Sequence, residues 1–478
     1  MSEFSQKLSE YIKQKDTNVY MLAKYCGYDR ANMYKLINGK RNAPDAEFVK
    51  KLSEYLHLSP SEEQELTEKY HISVMGYENY HRRKNIMKFL SEFTLTEKKN
   101  SALSEINVIT KMDETKENIT LKGAYELESA LLWMIVEETG KSQGEITMIM
   151  QPEIDMLNSI LGVCGRTENN IRVDHIVCLS DQPDKIEDGK LYNLECLKKI
   201  LPLYNYNYDY NTWYYYGNVK YTDNAFVMFP YMVMTSEYAC LISADMKNGC
   251  LTRDKELIQM LTERFEKFRK KSRRLINCIG NIMEQFEEVG NTVSTRYAGY
   301  SLQMEPCLMG FLDREMIEKY LTQQMPNRAF LVEATTAYCE KLSAQNITYI
   351  FSMEGLFHFL ETGNIRELPP ELYEKPVLED RIRIGEKMLS LEKEKRVRIL
   401  KQGIGHPETD VNIFVTSEHG LLRVSVPTKR VFLDMILEES GVLYSFYDFC
   451  ESMGAGMFYG KEEAEKMIRE KIKMLREN

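Results

Sequence analysis

Between Leu8 and Leu66 the apolar residues return every three or four positions, in short blocks broken by turn chemistry, which predicts several short packed helices and no strands. Leu8, Tyr11 and Ile12 mark a first helix. Thr17 or Asn18 can cap a second that carries Val19, Leu22, Ala23 and Cys26, and Gly27 supplies its stop. Asp29 can cap a third from Arg30 to Ile37, ended by Asn38-Gly39. A fourth follows Pro44 and Asp45 with Phe48, Val49, Leu52 and Leu56 on one face, and Ser59-Pro60-Ser61-Glu62 opens a fifth. Residues Tyr77 to Phe93 form a basic helical stretch with Ile86, Phe89 and Leu90 on one face, suited to linking domains or to touching phosphates.

From Ile106 the pattern changes to short apolar runs that read as strands, at Ile146–Met150, Ile171–Leu179, Val227–Met234 and Ala239–Ser243, alternating with helical segments. Such alternation predicts α/β or α+β lobes. Thr252 can cap a long helical stripe through Leu257, Leu261, Phe265, Phe268, Leu275, Ile279, Ile282 and Phe286, and further helices are expected at 345–359, 381–400 and 462–475. An internal repeat is also visible. Met234-Thr235-Ser236-Glu237-x-x-x-Leu241 returns as Val415-Thr416-Ser417-Glu418-x-x-x-Leu422, and Phe265-x-x-Phe268 returns as Phe446-x-x-Phe449, both pairs 181 residues apart. The simplest reading is strand, turn, strand, helix, used twice. The expected organisation is multidomain: an all-α domain over residues 1–70, a linker helix over 71–98, a first lobe over 99–270, a connecting helix over 271–299 and a second lobe over 300–478.

A chain of 478 residues exceeds what one core usually organises, which agrees with several domains. Its net charge of −10 repels polyanions on the whole, so any nucleic-acid binding must be local. Locally the sign reverses: from Arg30 to Lys51 six Lys or Arg face only Asp45 and Glu47. The ten Cys are scattered, with no Cys-x-x-Cys and no zinc-ligand spacing, so neither a metal nor a cofactor is expected. The first residues lack a signal peptide's basic and apolar regions, and the longest apolar run, Ala225 to Met234, is about half a bilayer span. A cytoplasmic protein without a membrane partner is the expectation.

The block Leu22-Ala23-x-x-x-Gly27-Tyr28-Asp29-x-x-x-Met33-Tyr34-x-x-x-Asn38-Gly39-Lys40-Arg41-x-x-Pro44 resembles the helix-turn-helix of the Cro/C1 (XRE) family of repressors, over about a seventh of the chain. The resemblance implies that the third helix enters the DNA major groove with its first residues at base edges. Arg30 and Asn32 are then the candidates for base contact, since Arg pairs with guanine and Asn with adenine. Lys35, Asn38, Lys40 and Arg41 suit phosphates. The same resemblance implies binding to double-stranded DNA as a homodimer, because such modules usually read paired half-sites.

Tyr204 to Tyr216 is the most biased segment, Tyr and Asn alternating before Trp213-Tyr214-Tyr215-Tyr216. Polar-tipped rings can wall an effector pocket, and these four are the candidates; an exposed loop or an edge strand fits the composition as well. Catalytic signatures are missing. There is no phosphate loop, and His175, His358, His406 and His419 stand in no metal or nucleophile context. The reading is a transcriptional regulator, not an enzyme, whose C-terminal region senses a small-molecule or peptide effector, self-associates, or both. One alternative is control by a peptide or protein partner, as in helical-repeat pheromone sensors, although no 34-residue repeat occurs. Another is a two-lobe hydrolase, since duplicated α/β lobes resemble phospholipase-D-like folds, although no His is followed by the His-x-Lys pattern.

Overall fold

The computed structural model describes residues 2–95, 116–152, 154, 161–162, 169–182, 186–217, 228–278, 298–366, 368, 370–392, 396–426 and 431–477. The chain divides into two compact units, residues 1–85 with 184–191, and residues 86–183 with 192–478.

The first unit is helical: α1 (Glu3–Gln14), α2 (Val19–Tyr25), α3 (Arg30–Ile37), α4 (Ala46–Tyr55), α5 (Pro60–Met75) and the start of α6 (Tyr77–Glu92). Each of the caps read from the sequence is made. Asn18, Asp29, Asp45 and Ser59 accept backbone N–H groups two or three residues on, and Ser59 with Glu62 closes a reciprocal capping box. Gly27 and Gly39 take φ of +63° and +72° after α2 and α3, the left-handed turn that stops a helix most cheaply when no Cβ is present. Phe4, Leu8, Leu22, Met33, Leu36, Val49, Leu52 and Leu66 meet in one core. The unit runs past the boundary expected at residue 70, because α5 is a single helix to Met75, and it includes a small hairpin of Ile186–Glu187 with Lys190–Leu191 (β4 and β5). There the Asn85 amide donates to the Gly189 carbonyl at 2.7 Å.

The second unit holds two mixed sheets. The first comprises β1 (Asn118–Lys122), β2 (Gln143–Ile149), β3 (Asn170–Ser180), β6 (Asp209–Gly217), β7 (Tyr231–Met234), β8 (Ala239–Ile242), β9 (Asn248–Thr252) and β10 (Arg273–Arg274), in the order β1-β9-β8-β7-β2-β3-β6-β10. The second comprises β11 (Ile276–Cys278), β12 (Gly299–Leu302), β13 (Ile347–Ser352), β14 (Val397–Leu400), β15 (Asp410–Val415), β16 (Gly420–Val426) and β17 (Val431–Leu437), in the order β11-β17-β16-β15-β12-β13-β14. Apart from β10 the orders are the same. In each sheet three parallel strands adjoin an antiparallel trio, and a further antiparallel strand pairs with the last of that trio. The repeated Thr-Ser-Glu segments are the same turn in both. Thr235 N–H donates to Tyr238 O at 2.9 Å and Thr416 N–H to His419 O at 2.8 Å, while each threonine hydroxyl accepts from the N–H three residues on. Phe265 and Phe446 are buried on the helices that follow, Lys255–Arg269 and Ser440–Ser452.

Three expected helices are corrected. Of the stripe from Thr252 to Phe286, the described residues are helical from Lys255 to Arg269, capped by Asp254, and Leu275 lies between β10 and β11; Ile279, Ile282 and Phe286, with the rest of 279–297 in the expected connecting helix, lie outside the described residues. Arg269, Lys270, Lys271, Arg273 and Arg274 would repel one another along a continued helix, and here the helix ends at Arg269 and Arg273–Arg274 form β10. Residues 347–352 of the expected helix 345–359 are β13, with the helix Met353–Thr362 only afterwards. A strand inside a parallel sheet is apolar on both faces, so its sequence lacks the alternation that marks a half-exposed strand. For 381–400, the helix Leu378–Glu392 ends early and β14 follows.

His175 on β3 is fully buried between Tyr210 Oη (2.7 Å to Nδ1) and the Met150 carbonyl (2.9 Å to Nε2). A carbonyl only accepts, so Nε2 carries the proton and Nδ1 accepts from Tyr210. Burial holds the ring neutral and pulls its pKa down to about 4, only partly offset by the Met150 bond. In the unfolded chain the ring binds a proton near pH 6.5, so the folded state binds fewer protons between these values and loses stability as pH falls from about 6.5 toward 4. His175→Gln should flatten the fall in denaturation midpoint over that window, whatever its stability at pH 7, and urea melts at stepped pH measure it. The two turns carry a second expectation. Thr235→Val and Thr416→Val each remove one hydroxyl acceptor, at about 1 kcal/mol, and native-state hydrogen exchange should show that loss separately in each hairpin.

Candidate nucleic-acid interface

Helix α3 is fixed from three sides. Asp29 caps it through the Asn32 N–H at 2.9 Å, Met33, Leu36 and Ile37 are buried, and the Ser5 hydroxyl donates to the Leu36 carbonyl at 2.7 Å. With that face buried, helical geometry turns Arg30, Ala31, Tyr34, Lys35 and Asn38 outward, all exposed. The Arg30 guanidinium lies 6.0 Å from the Tyr20 ring and 5.7 Å from the Tyr34 ring, held between two exposed aromatics.

The predicted contact residues separate by role. Arg30 presents its charge outward at the N-terminal end of α3, where a base-reading side chain is required. Asn32 is half-buried and its Oδ1 accepts from Arg41 Nη1 at 2.9 Å. Reading an adenine edge needs both ends of the amide, so in the free protein Asn32 positions Arg41 and shows only its NH2 group. Lys35, Asn38, Lys40 and Arg41 are all exposed around the end of α3. Ala31, Tyr34 and Tyr20 share this surface and were missed in the sequence. Counting from the buried Met33 and Leu36 leaves 31, 34, 35 and 38 outward, which was the available signal.

Charge pairing divides the unit. On α1 and α5, Lys7 pairs with Glu10 and Glu65, Lys15 with Glu62, and Lys69 with Glu3, at 2.6 to 3.4 Å. Arg30, Lys35, Lys40 and Arg41 form no ion pair with any described residue. Their positive charge is left for an external anion.

The four aromatics proposed as an effector wall occupy β6 instead of a loop. Strand alternation sends Trp213 and Tyr215 to one face and Tyr214 and Tyr216 to the other. Trp213 packs with Ile176 and Phe265 and lies 5.0 Å beneath Arg269; Tyr215 meets Phe268 at 4.8 Å. Tyr214 is buried, and Tyr216 donates to Glu439 Oε1 at 2.6 Å. The structure therefore does not bring the four to one pocket. Trp213 and Tyr214 are buried on opposite faces of the strand, Tyr215 is half-buried, and Tyr216 is exposed.

Among the described residues no helix is long and apolar enough to cross a membrane. Comparison with known proteins gives one informative result. No curated protein matches the chain. Solved structures with partial similarity include an archaeal chromatin protein, TrmBL2 (11% identity, 52% of this chain and 84% of that one, TM-score 0.24). Polyphosphate kinase from Porphyromonas gingivalis is another (10%, 76% and 56%, TM-score 0.21), and phosphatidylserine synthase from Haemophilus influenzae a third (11%, 76% and 92%, TM-score 0.22). Likeness at this level assigns no activity. The family profile of the Cro/C1-type HTH DNA-binding domain matches residues 7–62, which span α1 to the start of α5. The N-terminal part of the chain is a Cro/C1-type helix-turn-helix DNA-binding domain.

Proposed function

We propose that the protein is a sequence-specific transcriptional regulator, acting in the cytoplasm as a homodimer, whose two-sheet unit senses an effector, mediates self-association, or both. The observation that carries this reading is the set of exposed cations on and after α3 that lack carboxylate partners among the described residues, on a unit where Lys7, Lys15 and Lys69 are each paired with a carboxylate. An unpaired cation gains most from a phosphate, because no internal salt bridge has to be broken first. A homodimer fits because one recognition helix reaches only a few base pairs, and two helices set one helical turn apart multiply that readout. No catalytic role is assigned: the unit beyond the DNA-binding domain is given a sensing task.

The test separates reading from anchoring. DNA selected from a random pool, followed by gel shift, should yield a preferred site at moderate salt. Arg30→Ala should cost about 1–3 kcal/mol on that site and relax the preference at one position. Lys40→Ala should weaken all sequences alike and lower the salt slope by about one. No enrichment over bulk DNA would overturn the regulator reading.

A further inference from the structure

The two sheets correspond strand for strand, so their divergence can be read residue by residue. The shared turn aligns Val233 with Phe414, and strand pairing then aligns Met148 with Ser301 and His175 with Tyr349. In the same register Met150 matches Gln303, Tyr231 matches Asn412 and Ile242 matches Arg423. In the first sheet this face is solid: Met148, His175, Val233 and Ile242 are fully buried, and both His175 nitrogens are bonded. In the second sheet four of the matched positions besides Tyr349 are polar, Ser301, Gln303, Asn412 and Arg423, the serine standing where the first sheet has a methionine.

The result is a cavity of about 70 Å³ lined by Ser301, Gln303, Tyr349, Asn412, Phe414 and Arg423, among others. A water-sized chamber of about 10 Å³ shares Gln303 and Asn412 and adds Glu305, Arg366 and Asp410. Both lie at the carboxyl end of β12. Gln303 follows its last residue, and β15, antiparallel to it, begins there with Asp410. Ligands of open α/β sheets bind at this end of the strands.

Two buried polar groups lack partners among the described residues, one a donor and one an acceptor, and the acceptor is the one an ammonium group satisfies. Gln303 is 6% exposed and its amide nitrogen has no partner among the described residues; Asp410 is 9% exposed and its Oδ2 has none. The charges indicate an occupant's sign. Arg423 is taken by both oxygens of Asp434, and the Arg366 guanidinium is shared between Glu305 (2.9 Å) and Asp410 (3.4 Å), with His358 also on Glu305 at 2.6 Å. Both guanidiniums are spoken for, so an anion finds no free counter-charge, whereas a donor finds an unmet carboxylate oxygen. Burial also pushes the Glu305 and Asp410 carboxyls up, against the lowering effect of Arg366 on both and of His358 on Glu305.

We infer that the second lobe binds a small amphipathic primary amine, its apolar body in the cavity beside Ser301, Tyr349 and Phe414 and its ammonium group on Asp410 Oδ2, past Gln303 and Asn412. This gives the sensing part of the proposed function a place and a ligand class, and it rests on that reading only for its effect on DNA. Among the described residues of the first lobe, Met148 and His175 fill the matching place.

The test uses the full chain without DNA and benzylamine as the probe, with benzyl alcohol and benzoate as neutral and anionic counterparts. Calorimetry and methionine-methyl NMR, in which Met309 lines the cavity, should show saturable benzylamine binding at least tenfold tighter than benzyl alcohol, and none for benzoate. Asp410→Asn should erase the preference for the amine. Leu421→Trp, at the cavity wall, should abolish binding with the melting midpoint retained, and it decides the matter if Asp410→Asn does not fold. Absence of saturable benzylamine binding, equal binding of benzoate, or binding unchanged in Leu421→Trp would each overturn the site. DNA affinity is measured separately without amine, so failure of the DNA reading leaves the outcome at this site unaffected.

Discussion

Strand register in the two mixed sheets is the constraint on which most of this protein depends. Side chains alternate along a strand, so a slip of one residue would send every buried residue to the other face. The Thr-x-x-Tyr and Thr-x-x-His turns fix that register: the threonine carries both a backbone and a side-chain bond across the loop, and pairing is set at Met234 with Ala239 and at Val415 with Gly420. The antiparallel trio then places its first strand against the parallel trio. Two short sequence matches 181 residues apart therefore mark a shared topology.

The same constraint explains which parts of the structure could be read from sequence. In the helical unit each decisive contact is local. Asp29 caps Asn32 three residues on, Ser59 and Glu62 cap each other, and Gly27 and Gly39 follow their helices directly. The elements and the outward face of α3 were legible for that reason, whereas the bond from Arg41 to Asn32 needs the loop's path and was not. In the sheets the signal is weaker. Ile347–Ser352 is buried at nearly every position and reads the same as a buried helix, and Trp213-Tyr214-Tyr215-Tyr216 reads as a pocket wall, a loop or an edge strand until a strand on either side is known. The cavity in the second lobe was illegible, because Ser301 and Asn412 come together only through the pairing of β12 with β15.

Divergence between the lobes follows from burial energetics. A duplicated core tolerates apolar exchanges that conserve volume, but a polar residue entering it must bring its own partner or leave an unmet group. Arg423 brought Asp434, and their bidentate pair is complete. The Gln303 side-chain amide nitrogen and Asp410 Oδ2 did not acquire partners among the described residues. Other unmet groups occur elsewhere in the fold, and these two are set apart by lying beside the same pair of chambers.

Electrostatics decides how an acidic chain holds DNA. A net charge of −10 would oppose binding if the charge acted as a whole. At physiological salt the screening length is about 8 Å, so a phosphate at α3 responds to charges within a turn or two of helix and little to the distant carboxylates. Within that radius pairing matters more than count. Lys7, Lys15 and Lys69 add nothing to the field at α3, since each sits on a carboxylate, while Arg30, Lys35, Lys40 and Arg41 act undiminished. The remaining negative charge has its effect at low ionic strength, where the screening length reaches about 30 Å and repulsion from the rest of the chain becomes part of the encounter. The DNA affinity of the full chain should consequently rise less steeply on lowering salt than four exposed cations alone would dictate.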